Sequence, residues 1–139
     1  MPTPFVLDPR LAADTVALAD LALSHLLLVD DVRFPWLILV PRRPDKRDLV
    51  DLDEADLAQL MAEVRSACAA LRSVTRPHKL NVAALGNMVP QLHVHVIARR
   101  SSDAAWPRPV WGVTPPLAHD AGEVQNFISA LRRKIWLGS

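Results

Sequence analysis

Between Gln91 and Ala98 the sequence QLHVHVIA alternates polar residues with β-branched apolar ones. A period of two belongs to a strand with one buried face. Gln91, His93 and His95 project to one side. Leu92, Val94 and Val96 project to the other, where they need a second layer to bury against. The sequence supplies that layer upstream. Leu57, Leu60, Met61, Val64, Cys68 and Leu71 recur at spacings of three and four, which predicts an amphipathic helix over about 53–73. Asp53 is its expected cap, Asp56 places acid in the first turn where the helix dipole favours it, and Pro77 lies just past its end.

The remaining elements are shorter. Thr15 to Leu18, Ser24 to Val29, Trp36 to Val40 and Leu80 to Leu85 read as strands. Asp30-Asp31 marks the turn after the second of these, Pro35 and Pro41 bound the third, and Gly86-Asn87 breaks the fourth. The first ten residues contain three prolines and read as an irregular arm. In it Asp8 and Pro9 are placed to cap and open a short helical turn. Residues 120–136 carry apolar positions at Val124, Phe127, Ile128, Leu131 and Ile135, a terminal helix. The stretch DAAWPRPVWGVTPP before it is extended, and its prolines exclude it from a central strand.

The expected fold is therefore α+β over a single domain, 1–139. It comprises an arm (1–14), a motif-bearing core (15–99), and a Trp/Pro-rich segment with a terminal helix (100–139). The core is an antiparallel sheet of about five strands, with the long helix across one face and a groove on the other.

Charge and composition narrow the partners. Lys and Arg number 16 against 15 Asp and Glu, so no basic field points to nucleic acid. The apolar runs are too short for a bilayer, and no membrane partner is expected. The start of the chain lacks a basic stretch followed by a long apolar run, so no secretory signal is expected. Cys68 is the only cysteine; it allows no internal disulfide, fits a cytoplasmic location, and reads as a core thiol on the helix's apolar stripe.

His93 and His95 carry the chemistry. Side chains two apart on a strand stand about 7 Å apart and address neighbouring atoms of one ligand. A neutral imidazole attacks phosphorus through one nitrogen while the other, protonated, is held by an acceptor. The second ring donates to a phosphoryl oxygen as charge gathers there, and no metal is strictly required. His-x-His alone leaves three readings open: a polar sheet face, a zinc site needing a third ligand that the sequence does not name, and nucleophilic catalysis.

The run Asn87-Met88-Val89-Pro90-Gln91-Leu92-His93-Val94-His95-Val96-Ile97-Ala98-Arg99 resembles the signature strand of the histidine triad superfamily, His-φ-His-φ-His-φ-φ with φ apolar. LLLVDDVRFPWLILVPRR resembles the family's earlier strand, nucleotide-contacting turn and strand ending in Pro-x-Arg. The likeness covers Thr15 to Arg99. With DAAWPRPVWG the chain most resembles small bacterial members related to dinucleoside polyphosphate hydrolases.

The resemblance implies that His93 is the nucleophile, that His95 and Asn87 contact phosphate, and that Asp30 binds ribose hydroxyls. It further implies a nucleotide or nucleotide conjugate as ligand, a homodimer, no cofactor, and attack at the α-phosphorus through a nucleotidyl-histidine. The substrate would be a dinucleoside polyphosphate or an adenylated amine or acid. The alternatives are a nucleotide-binding or signalling module with little turnover, and a metal-binding protein. The sequence departs from the pattern twice. Gln91 stands where the first histidine belongs and is by that place the third candidate catalytic residue, although an amide carries no proton at neutral pH; Met88 replaces a usual Ser or Thr.

Other residues have weaker claims. Trp106 and Trp111 cover a base, pack at an interface, or are ordinary packing residues. His25 reads as structural; His78 and His119 lie in loops with no partner that the sequence identifies. Arg42, Arg43, Arg99 and Arg100 are candidates to assist an anionic substrate.

Overall fold

The computed structural model describes residues 3–113 and 115–138, with side chains as far as Ile135; Met1, Pro2, Thr114 and Ser139 lie outside it. Asp8 and Pro9 do open a helical turn. The Asp8 carboxylate accepts from Arg10 N at 2.8 Å, and α1 runs Pro9–Ala13. Strands β1 (Thr15–Asp20), β2 (Ser24–Val29) and β3 (Trp36–Pro41) follow. A single 3-10 turn, Leu49–Asp51, precedes α2 (Glu54–Thr75). Then come β4 (Lys79–Ala83), β5 (Val94–Arg99) and α3 (Ala121–Gly138). Every pairing is antiparallel, and the order is β1-β2-β3-β5-β4.

Helix α2 is placed by its caps and its stripe. The Asp53 side chain accepts from Asp56 N at 2.8 Å, and Arg76 closes the helix in the left-handed region at φ 49°. Its buried Leu60, Val64, Ala67 and Leu71 meet Leu92, Val94, Val96 and Ala98 from the β5 segment, and Ile128 and Leu131 from α3. That is the side on which the alternation placed Leu92, Val94 and Val96. Glu63, also buried, accepts from Leu23 N (2.7 Å), Ser24 N (3.0 Å) and Gln59 Nε2 (2.9 Å), and so ties the β1–β2 turn to α2.

The opposite face of the sheet is covered differently. Leu27, Ile38 and Val40 pack under Phe5, Leu7 and Leu11, so the proline-rich arm lies across the face that carries the histidines. The segment after β5 is fixed by a third cluster of Phe34, Ile97, Ala105 and Val110. At its root Arg99 is 1% exposed. It donates to both oxygens of Asp103, to Asn81 Oδ1 and to Arg108 O, with its guanidinium near the Phe34 and Trp106 rings. A buried cation so fully bonded is structural. This corrects the expectation that Arg99 serves a substrate. Arg100 likewise donates to Thr75 O.

Strand β5 begins at Val94 rather than at Gln91. Its partners stop there: Val94 is opposite Leu39, and β4 ends with Ala83 opposite His95. Leu92 N instead donates to Lys46 O at 2.9 Å, which draws the loop after β3 against the entry to the strand. His93 therefore stands one residue before the sheet. Strand β4 also ends short of Leu85, two residues earlier than the apolar run suggests.

Candidate active site

The two histidines are both 6% exposed, with ring centroids 4.8 Å apart at an interplanar angle of 69°. Each has one nitrogen committed to a partner of a single kind. His93 Nδ1 is 2.7 Å from the backbone carbonyl of Gln91. A carbonyl only accepts, so this nitrogen carries a proton, and in the neutral ring the lone pair is on Nε2. His95 Nδ1 is 3.0 Å from Trp36 Nε1. An indole N–H only donates, so Nδ1 holds the lone pair here and Nε2 bears the proton. Burial, with the neighbouring His93 adding to it, lowers the His95 pKa to about 4. His95 is thus a neutral donor at pH 7.

The His93 ring borders one cavity, and two residues in contact with the His95 ring line another. A cavity of about 160 Å³ is walled by His93 with Leu92, Arg47, Leu49 and Gly86, among others. A larger one, about 570 Å³, is lined by Val29, Asp30, Arg33, Trp36 and Trp111, among others. Trp36 and Trp111 both contact the His95 ring, at centroid distances of 5.7 and 5.0 Å. The histidine pair therefore lies between a small cavity bordered by a cation and a large aromatic one of a size typical for small-molecule sites. A further cavity of about 410 Å³, on the helical side, is lined by Arg65, Cys68, Arg72 and Lys134 and contains no histidine.

The other expected residues divide. Asp30 lines the larger cavity, but its Oδ1 already accepts from His119 N (2.8 Å) and lies 2.9 Å from His119 Nδ1. These bonds, the backbone one first, hold its carboxyl below the usual range. His119 thus has the partner that the sequence did not identify. Asn87 is exposed, and its neighbour Gly86, at φ 73°, lines the smaller cavity in its place. The Gln91 amide is committed to the N-terminal arm: Oε1 accepts from Asp8 N at 2.8 Å, and Nε2 donates to Val6 O at 2.9 Å. Met88 is 85% exposed.

Arg42 donates to Leu21 O and Arg43 to Asp56, so neither faces the histidines, against expectation. Trp106 lies edge-on to His78 at 5.0 Å, away from the site. His25 pairs with Asp20 and packs on Phe5, as a structural residue does. Among the described residues, no group of three or more His, Cys, Asp or Glu side chains is placed to hold a metal ion.

Sequence reasoning missed Trp36 and Arg47. Trp36 read as the start of an apolar strand, and only the pairing of β3 with β5 brings its indole to His95. Arg47 lies in a charged run between β3 and α2 with no local pattern to mark it; the bond from Leu92 N to Lys46 O brings that run to the cavity that His93 lines.

The family model of the HIT domain matches residues 10–102. The chain belongs to the HIT family. Solved histidine triad proteins share the fold over nearly their whole length. One from Bradyrhizobium japonicum is 62% identical with a TM-score of 0.95, covering 96% of this chain and 100% of that one. One from Marinobacter aquaeolei VT8 is 38% identical with a TM-score of 0.94, covering 97% and 98%. The AP-4-A phosphorylase of Mycobacterium tuberculosis is 36% identical over 92 residues, 60% of this chain and 47% of that protein. This HIT chain spans about half the length of the curated relatives it matches. Among the described residues, no helix of this HIT protein is long and apolar enough to cross a membrane.

Proposed function

We propose that this HIT protein cleaves nucleotide conjugates at the α-phosphorus through a covalent nucleotidyl-histidine on His93. One observation carries the reading. Two adjacent imidazoles have opposite ring nitrogens fixed as proton carriers by their partners, Nδ1 of His93 by an acceptor and Nε2 of His95 by a donor on its Nδ1. The first presents a lone pair and the second presents an N–H. A nucleophile and an oxyanion donor acting on one phosphoryl group need that pairing.

The nucleoside occupies the larger cavity, with Trp36 and Trp111 against the base and the free Asp30 oxygen toward the ribose. The phosphoryl group lies before the histidine rings. His93 Nε2 bonds to phosphorus as the leaving group departs. Water then displaces the histidine and releases a nucleoside monophosphate. The name of the mycobacterial relatives, AP-4-A phosphorylase, agrees with a phosphoanhydride substrate.

Mass spectrometry of enzyme quenched during turnover of diadenosine tetraphosphate tests this. The peptide holding His93 should gain one adenylyl group. Turnover that persists in His93→Ala overturns the reading. A nucleotide-binding module with little turnover is the second reading, favoured by the commitment of the Gln91 amide to the arm. It predicts AMP binding by calorimetry without cleavage of any conjugate. The family likeness also implies a two-fold dimer. Strand β4, at the sheet edge with Val82 half exposed, is the element we expect at that contact; light scattering tests it.

A further inference from the structure

We propose that His119 is a positioning residue for ribose recognition: it holds one oxygen of Asp30 and leaves the other for the hydroxyls of a nucleoside in the larger cavity. The inference rests on the placement of the nucleoside given above. His119 itself stands outside the HIT domain, residues 10–102.

The first observation is how the bonds at Asp30 are shared. His119 N donates to Asp30 Oδ1 at 2.8 Å, and His119 Nδ1 lies 2.9 Å from the same oxygen. A carboxylate only accepts, so Nδ1 carries a proton and both bonds run toward Asp30. Among the described residues, Asp30 Oδ2 accepts no hydrogen bond. Asp31, the next residue, is a structural carboxylate in the same turn. It is 3% exposed, with Oδ1 taken by Arg33 N and Nε and Oδ2 by Arg33 Nη2. At Asp30 both donors fill one oxygen instead. Its other half is left at the wall of the cavity that Trp36 and Trp111 line.

The second observation is the support behind His119. Leu117 O accepts from Val32 N at 2.8 Å, and Asp120 Oδ1 accepts from Gly122 N at 2.9 Å at the start of α3. The His119 side chain lies between these anchors and is 10% exposed. The torsion that turns a carboxylate is broad in an unheld Asp. Asp14, exposed in the same cavity wall, makes no side-chain hydrogen bond among the described residues and keeps that freedom. An acceptor fixed before its ligand arrives loses less entropy on binding.

The chemistry selects the ligand group. An ionised carboxylate oxygen with open lone pairs takes hydroxyl donors, and a ribose 2′,3′-diol brings two. It repels a phosphate. Asp30 held in this way therefore receives the sugar end of a nucleotide and turns the phosphoryl end toward the histidines.

The test is calorimetry of AMP and of 2′,3′-dideoxy-AMP with the wild type, His119→Phe and His119→Asn. The wild type should bind AMP roughly 10- to 100-fold more tightly, the scale of hydrogen bonds to a charged group. His119→Phe keeps a ring but not the donor, and His119→Asn places an amide N–H near the Nδ1 position. The preference for AMP should shrink to about threefold or less in the first and largely return in the second. A segment that had merely loosened would weaken both nucleotides alike, so an unchanged preference in His119→Phe overturns the proposal. In an Asp30→Ala background His119→Phe should alter the preference no further; a further change also overturns it. A wild type that binds both nucleotides equally removes Asp30 from the ribose and the proposal with it, while cleavage through His93 stands or falls by its own test. If the wild type binds neither, the nucleoside placement itself is wrong.

Discussion

The indole N–H of Trp36, at the first position of β3, donates to Nδ1 of His95 in the neighbouring strand β5 at 3.0 Å. The bond joins two elements that are 59 residues apart in sequence, and it leaves the His95 proton on Nε2. A benzyl ring in place of the indole keeps the packing against His95 but removes the donor. Trp36→Phe is therefore expected to let His95 sample the other tautomer, in which Nε2 no longer donates. Nitrogen-15 shifts of the His95 ring should move toward a mixture, and kcat should fall about tenfold, the scale of one lost hydrogen bond in a dry site. An unmixed tautomer in the variant excludes Trp36 as its determinant.

The same burial gives a pH dependence. The folded-state pKa of His95 is lowered to about 4, from 6.5 as the ordinary value. Between those limits the unfolded chain binds a proton that the native protein does not, so stability falls as pH falls from about 6.5 and the loss is complete below about 4. At about 1.4 kcal/mol per pH unit, the loss attributable to this group is of order 3 kcal/mol. Urea unfolding of the wild type and His95→Asn at pH 7 and pH 4 isolates it. The variant should lose less stability across that interval, and equal losses would contradict the assignment.

Much of this fold was legible because period and punctuation agree. The helix stripe from Leu57 to Leu71, the Asp53 cap, the proline-bounded WLILV and the alternation around His93 each reappear within a few residues of their expected bounds. What was not legible depends on pairing across the sheet. No local pattern says that Trp36 faces His95, that His119 reaches back to Asp30, or that Lys46 O draws the loop of Arg47 to the cavity that His93 lines. Charge patterning misled for a related reason. Arg99 reads as a candidate partner for an anionic substrate, but it is buried, with Asp103 and Arg108 O from the loop beyond bonded to its guanidinium.

Glu63 is a further case of a long-range bond hidden in a helical pattern. Its two oxygens accept the amides of Leu23 and Ser24 in a buried turn. Glu63→Ala would leave both donors without acceptors, at roughly 1–3 kcal/mol each. We expect an overall loss of about 2–5 kcal/mol in denaturant unfolding, with Glu63→Gln intermediate because it keeps one acceptor. A loss below 1 kcal/mol would mean that the turn finds water instead.

Gln91 links the arm to the nucleophile through its two halves. Its backbone carbonyl holds the His93 ring, while its side chain grips Val6 O and Asp8 N. Arg10 adds a bond to Met88 O at 3.0 Å. Gln91→Ala should free residues 3–7 to proteolysis and cost about 1–3 kcal/mol for the two bonds. Gln91→His is the sharper test, since it restores the imidazole that the family pattern carries at this place. One ring would have to donate to Val6 O and accept from Asp8 N across the span of an amide, which its geometry does not match. The arm should loosen and turnover should not rise. If cleavage of a phosphoramidate rose instead, position 91 would be supplying the proton that the amide lacks, and the arm would be incidental to the site.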